Sequence, residues 1–181
     1  MSSTRRWIAF IRAINGSPHN RIKMVDLAAV VTSAGVEEVT WYLQTGNLFF
    51  TGPDTSDELA ERIEAALIER GLKSAEVMLR TPESLAVLVA SNPFADIDSE
   101  LHHRSVSFFR RPPTKDAREK IKASGSQLIF QDDSAYCLAI PKTADLSGGA
   151  SATLDRAWGA PSTTRWWHVV EEISRRASAP A

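Results

Sequence analysis

Apolar positions fall in short runs, each closed by a turn former or a helix stop. Residues 6–14 (RWIAFIRAI) are apolar on both sides of an extended chain and lead into Asn15-Gly16-Ser17-Pro18-His19-Asn20, so a strand followed by a loop is predicted. Met24, Leu27, Val30 and Val31 recur at helical spacing until Gly35. Two β-rich runs, 39–43 and 48–51, flank Gln44-Thr45-Gly46-Asn47, and Gly-Asn between such runs signals a hairpin. Thr55-Ser56-Asp57-Glu58 reads as a capping box ahead of Leu59, Ile63 and Leu67, with Gly71 as the left-handed stop. Residues 76–80 form one more strand. The order is βαββαβ, the ferredoxin-like pattern.

The second half reads as βαββα plus further helices and could be an incomplete copy of the first, although no repeat is visible in the sequence. Thr81-Pro82 opens a helix bearing Leu85, Leu88 and Val89, and Asn92-Pro93-Phe94 ends it. A polar loop over 95–103, a strand at 106–109, a helix from Thr114 to Ala123 and strands at 128–130 and 136–140 follow, the last two joined by Gln131-Asp132-Asp133-Ser134. Gly148-Gly149 disfavours helix at the start of 145–158. Trp166, Val169, Val170 and Ile173 mark a last helix beginning near Thr163-Thr164-Arg165. The expected fold is α+β: a ferredoxin-like domain over 1–80, then a smaller or incomplete ferredoxin-like α+β domain over 81–181.

Charge changes little in this picture. The formal net charge is -1, with 9 basic and 10 acidic residues in 1–80 and 12 of each in 81–181. That balance argues against nucleic acid and anionic membranes as partners. Because residues 7–11 and 48–50 are apolar on both sides, both sheet faces should be covered, unlike an RNA platform with exposed stacking aromatics. The run after Arg5-Arg6 is too short for a secretion signal or a membrane span and reads as a buried strand. A single cysteine, Cys137, fits a reducing, cytoplasmic setting and reads as a small buried hydrophobe.

Phosphate-loop, dinucleotide and nucleophile-elbow signatures are missing. Adjacent His102 and His103 diverge on an extended chain, so neither a metal nor another cofactor is expected. Three polar clusters remain: Arg12 with Asn15; Gln44, Thr45 and Asn47; and Thr163, Thr164 and Arg165. In a ferredoxin-like sheet the first and second strands run parallel, so the first two clusters share an edge. The third, read as a helix N-terminus carrying a cation, suits an anion. Ordinary turn and cap chemistry, with the arginines paired to local carboxylates, is the competing reading for all three.

The segments Arg12-Ala13-Ile14-Asn15, Met24 and Leu27, Tyr42-Leu43-Gln44-Thr45-Gly46-Asn47-Leu48-Phe49-Phe50, Asn92-Pro93-Phe94 and Thr163-Thr164-Arg165-Trp166-Trp167 together resemble the domain of unknown function 1697 family. The resemblance spans nearly the whole chain. It implies a small bacterial protein of tandem ferredoxin-like domains and no particular activity. The family usually has Gly where Ala13 stands, a glycine-rich loop at 16–19, Ser at Thr45 and Asn at Trp166.

A binding module for a small phosphate- or carboxylate-bearing ligand ranks first, with Arg12, Asn15, Gln44, Thr45, Asn47, Thr164 and Arg165 as its residues. A partner-binding protein using that edge or the Trp166/Trp167 surface ranks second. An enzyme ranks third, because amides, hydroxyls and guanidiniums shuttle protons poorly near neutral pH and His19 is the only histidine in a suitable place.

Overall fold

The structure is a computed structural model that describes residues 4–16, 20–53, 55–112, 126–132, 134–144 and 161–179. It is α+β, with two four-stranded antiparallel sheets and, among the described residues, four helices. In chain order these are β1 (Thr4–Ile11), α1 (Met24–Ser33), β2 (Glu37–Tyr42), β3 (Asn47–Pro53), α2 (Ser56–Glu69), β4 (Val77–Arg80), α3 (Pro82–Ala90), β5 (His102–Phe109), β6 (Gln127–Gln131), β7 (Ala135–Pro141), β8 (Ser162–Trp166) and α4 (Trp167–Ala177). Two compact units result: Met1–Leu85 with Arg175–Ala181, and Ala86–Ser174.

In the first unit the strand order is β2-β3-β1-β4. Trp7, Ala9 and Ile11 of β1, Leu48 and Phe50 of β3, and Val77 and Leu79 of β4 form one core with Leu27 and Val31 of α1 and Leu59, Ile63 and Leu67 of α2. Each fully buried large apolar side chain contributes about 1.5–3 kcal/mol relative to exposure. Ile8, Phe10, Phe49 and Met78 alternate with these and are buried as well, so the strands are covered on both faces, as their two-sided apolar pattern predicts. Both helices stop at left-handed glycines, Gly35 at φ +84° and Gly71 at φ +91°. Thr55 does stand at the N-cap of α2, but its side chain makes no capping bond, so the predicted reciprocal box is not formed. Thr81 does cap, accepting from the Ser84 N–H at 3.1 Å.

The second unit carries the main corrections. Its sheet order is β6-β7-β5-β8, four strands where the sequence predicts three. The extra strand is β8. Residues 162–166, expected to lead into and open the last helix, instead pair with β5 in the register Val106↔Arg165, Ser107↔Thr164 and Phe108↔Thr163. Two β-branched threonines suit an extended edge strand, where polarity is tolerated because only one side is hydrogen bonded. The helix begins only at Trp167. β5 also starts earlier than expected, at His102, inside the predicted loop. The predicted helix at 114–123, the reading of 145–158, and Asp133 lie outside the described residues. Asp132 does make the turn between β6 and β7, its Oδ1 accepting from the Ser134 and Ala135 N–H groups, each at 2.6 Å.

Cys137 lies in β7 and is fully buried. Burial, with a smaller contribution from the Asp132 charge, pushes its thiol up to about 12. Native protein at pH 8 should therefore resist iodoacetamide while urea-unfolded protein is alkylated, as intact mass reads directly. Rapid modification of the native chain would contradict the buried placement.

Candidate functional site

The sheet edge where β1 and the β2–β3 hairpin end holds most of the residues singled out in the sequence. Beyond Ile11 the chain turns sharply: Ala13 has φ 62° and Asn15 φ 55°. Left-handed backbone suits Asn and costs Ala roughly 1–2 kcal/mol, consistent with Gly at this position in the family that the motifs resemble.

Asn15 is the bracket of the site. Its Nδ2 donates to the Gln44 carbonyl at 2.7 Å and to the Ile22 carbonyl at 3.0 Å, and its Oδ1 accepts from the Ile22 N–H at 2.9 Å. Loop and hairpin, 29 residues apart, are thereby joined. Asn20 ties the same loop down, donating from Nδ2 to the Lys73 carbonyl at 2.6 Å.

The hairpin residues act mostly within the hairpin. Asn47 is fully buried, and its Nδ2 donates to the Tyr42 carbonyl at 3.0 Å and to Thr45 Oγ1 at 3.2 Å. Gly46 has φ +75°, and its carbonyl accepts from the Ile11 N–H at 2.8 Å. Turn chemistry thus accounts for Asn47 and Gly46. Gln44 and Thr45 are exposed. Arg12 is half-buried, and its backbone N–H donates to the Glu76 carbonyl at 2.8 Å.

A shallow depression of about 440 Å³ opens at this edge, lined by Asn15, Arg21, Ile22, Lys23 and Gln44. Arg21 and Lys23 were not among the sequence candidates. They flank half-buried Ile22 in an extended stretch, so period two puts both on the exposed side. Among the described residues, neither head group is held by a carboxylate. Lys23 is moreover the N-cap of α1, where its side chain makes no capping bond. Two cations beside the positive end of a helix are mutually unfavourable unless an anion joins them.

Thr164 and Arg165 belong to the second unit. Thr164 Oγ1 lies 2.9 Å from Ser107 Oγ, and Arg165 Nη1 donates to Thr163 Oγ1 at 2.7 Å and to the Thr164 carbonyl at 2.9 Å. Burial lowers Arg165 to about 10, still a cation at neutral pH. Trp167 is buried with its ring 5.0 Å from Phe94, and Trp166 lies 5.1 Å from His103, so the tryptophan pair is spent on packing. His19 lies outside the described residues. Among those described, no group of three or more His, Cys, Asp or Glu could hold a metal, and no helix is long and apolar enough to cross a membrane.

A family model described as "Protein of unknown function (DUF1697)" matches residues 4–136. Among solved structures, a conserved bacterial protein from Streptococcus pneumoniae is similar in fold, with a TM-score of 0.68 at 20% identity, covering 98% of this chain and 100% of that one. No curated protein matches.

Proposed function

The chain belongs to the DUF1697 family of proteins of unknown function, and from its own side chains we propose that the first unit is a binding module for a small phosphate- or carboxylate-bearing ligand. The observation that carries this reading is the depression in which Arg21 and Lys23, neither held by a described carboxylate, flank the start of α1 beside Asn15 and Gln44. Arg21 offers a planar fork and Lys23 a point charge. First-turn N–H groups of α1 and the Gln44 amide supply orientation. Thr45 and Asn47, bonded to each other at 3.2 Å, brace the hairpin that carries Gln44, and Arg12 follows the end of β1. Thr164 and Arg165 drop out of the proposal, because the helix start that recommended them lies two residues further on. We also read both units as ferredoxin-like, on the strength of their matching strand orders, with α1 and α2 as the crossovers of the first.

Thermal-shift titration with inorganic phosphate, pyrophosphate and acetate tests the ligand class. At least one anion should raise the melting temperature of wild type, since a ligand that binds only the folded state stabilises by mass action. Arg21→Ala and Lys23→Ala should each weaken the response about ten-fold, the loss of roughly one charge-assisted hydrogen bond. Arg165→Ala should respond like wild type. An anion response that survives in the Arg21/Lys23 double variant would remove the depression as its site.

A further inference from the structure

Among the described glycines of the first unit, all but Gly16 have a structural reason to be glycine. Gly35, Gly46 and Gly71 have positive φ, and a Cβ on Gly52 would stand 3.0 Å from Val36 Cγ1. Gly16 has no positive φ, a Cβ there would meet nothing within 4 Å, and the residue is exposed. Its distinction is its neighbour: Asn15-Gly16 is the one Asn-Gly pair in the sequence.

An asparagine followed by glycine can deamidate without a catalyst. Because glycine has no Cβ to obstruct it, the Gly16 nitrogen is free to attack the Asn15 side-chain carbonyl carbon. A bond forms from that nitrogen to Cγ, the Cγ–Nδ2 bond breaks, and ammonia leaves with the proton of the Gly16 N–H. Water then opens the cyclic imide at either carbonyl, leaving aspartate or isoaspartate in place of Asn15. Only water is consumed and only ammonia released.

The fold opposes this reaction. Asn15 Nδ2 donates to the Gln44 carbonyl at 2.7 Å and to the Ile22 carbonyl at 3.0 Å, and Oδ1 accepts from the Ile22 N–H at 2.9 Å. The Asn15 backbone N–H donates to the Asn20 carbonyl at 2.9 Å. Bonds at both ends of the side-chain amide fix its plane, so attack by Gly16 requires a local opening that releases it. We propose that Asn15-Gly16 is a site of spontaneous deamidation held in check by the fold, and that conversion is a one-way release of the loop from the hairpin. Either product lacks both donated bonds, and isoaspartate also lengthens the backbone. A junction opened in this way has no amide with which to close. This holds whatever ligand the neighbouring depression takes.

Peptide mapping by mass spectrometry, with fragmentation that separates aspartate from isoaspartate, follows the full-length protein in mildly alkaline buffer with and without urea. In urea, Asn15 should convert at least ten-fold faster than Asn20, Asn47 or Asn92, none of which precedes glycine. Folded protein should convert Asn15 at least ten-fold more slowly than unfolded protein, since reaction from an opened state tracks its population. Gly16→Ala, which the open surroundings and ordinary φ of Gly16 tolerate, should slow conversion in urea at least ten-fold and leave the melting temperature little changed. Converted protein, separated from unconverted by its added negative charge, should unfold at a lower urea midpoint. Equal conversion of Asn15 with and without urea overturns the proposal, as does an unmodified Asn15 in urea or an unchanged midpoint after conversion. The urea arm needs no folded variant, so Gly16→Ala gives its answer there even if its native state is lost.

Discussion

Gly46→Ala should destabilise the first unit by roughly 2–5 kcal/mol, and Gly71→Ala by only about 1–2 kcal/mol, although both glycines are left-handed. The backbone cost is common to both, since Gly46 has φ +75° and Gly71 φ +91°. Their surroundings separate them. A Cβ on Gly46 would stand 2.7 Å from the Ile11 carbonyl oxygen and 3.1 Å from two side-chain atoms of Ile14, whereas one on Gly71 meets nothing within 4 Å. The Ile11 oxygen is backbone at the end of a central strand and cannot rotate away. Relief would have to come from moving the hairpin off β1, which would lengthen the bond from the Ile11 N–H to the Gly46 carbonyl. Urea denaturation of the two variants beside wild type, compared through midpoints at unchanged slope, measures the difference. Equal losses would mean that conformation alone matters at Gly46 and that the packing of hairpin on strand is looser than described.

The same glycine shows what the sequence could tell. Gly46-Asn47 between two β-rich runs signals a hairpin because the turn needs a residue free to take positive φ, and that requirement is local. Local too are the stops at Gly35 and Gly71 and the two-sided apolar run of β1. β8 was not legible for the opposite reason: Ser162-Thr163-Thr164-Arg165 has no apolar alternation, and what makes it a strand is the partner edge of β5, over 50 residues away. Read alone, the paired threonines look like a helix cap. Thr55 and Thr81 carry the same lesson in miniature, since both precede helices and only Thr81 turns its oxygen to the backbone.

At the candidate site, the first two polar clusters do meet at one sheet edge, as the topology implies, but their amides are used differently from what the sequence suggests. Asn15 and Asn47 are polar residues near a turn, which suggests a ligand. Both, however, use their side chains to hold backbone. Nothing in a sequence says whether an amide faces outward or inward, because that depends on which carbonyls the fold brings near. Arg21 and Lys23 did leave a signal, two cations at period two immediately before a helix, with neither residue suited to capping it.

Asn15→Ala brings stability and binding into one experiment. The substitution removes two donated hydrogen bonds and one accepted bond, from Asn15 to Ile22 and Gln44. At about 1 kcal/mol net for each, less where water can replace a lost partner, and with Ala less at ease than Asn at φ 55°, the loss should be about 2–4 kcal/mol. Anion affinity should fall as well, because Gln44 and the stretch from Arg21 to Lys23 would no longer be held to one geometry and the ligand would have to order them. Asn15→Asp separates the two effects. Its carboxylate keeps the acceptor for the Ile22 N–H and so recovers part of the stability. It also sets a negative charge beside Arg21 and Lys23, which should depress anion affinity at least as far as Ala does. Urea midpoints and phosphate titration of both variants give four numbers. A bracket that orders an anion site requires the two variants to differ in stability while sharing the binding defect. If Asn15→Asp bound phosphate like wild type, the depression would have no anion for that charge to repel, and the first unit would have to function elsewhere on its surface.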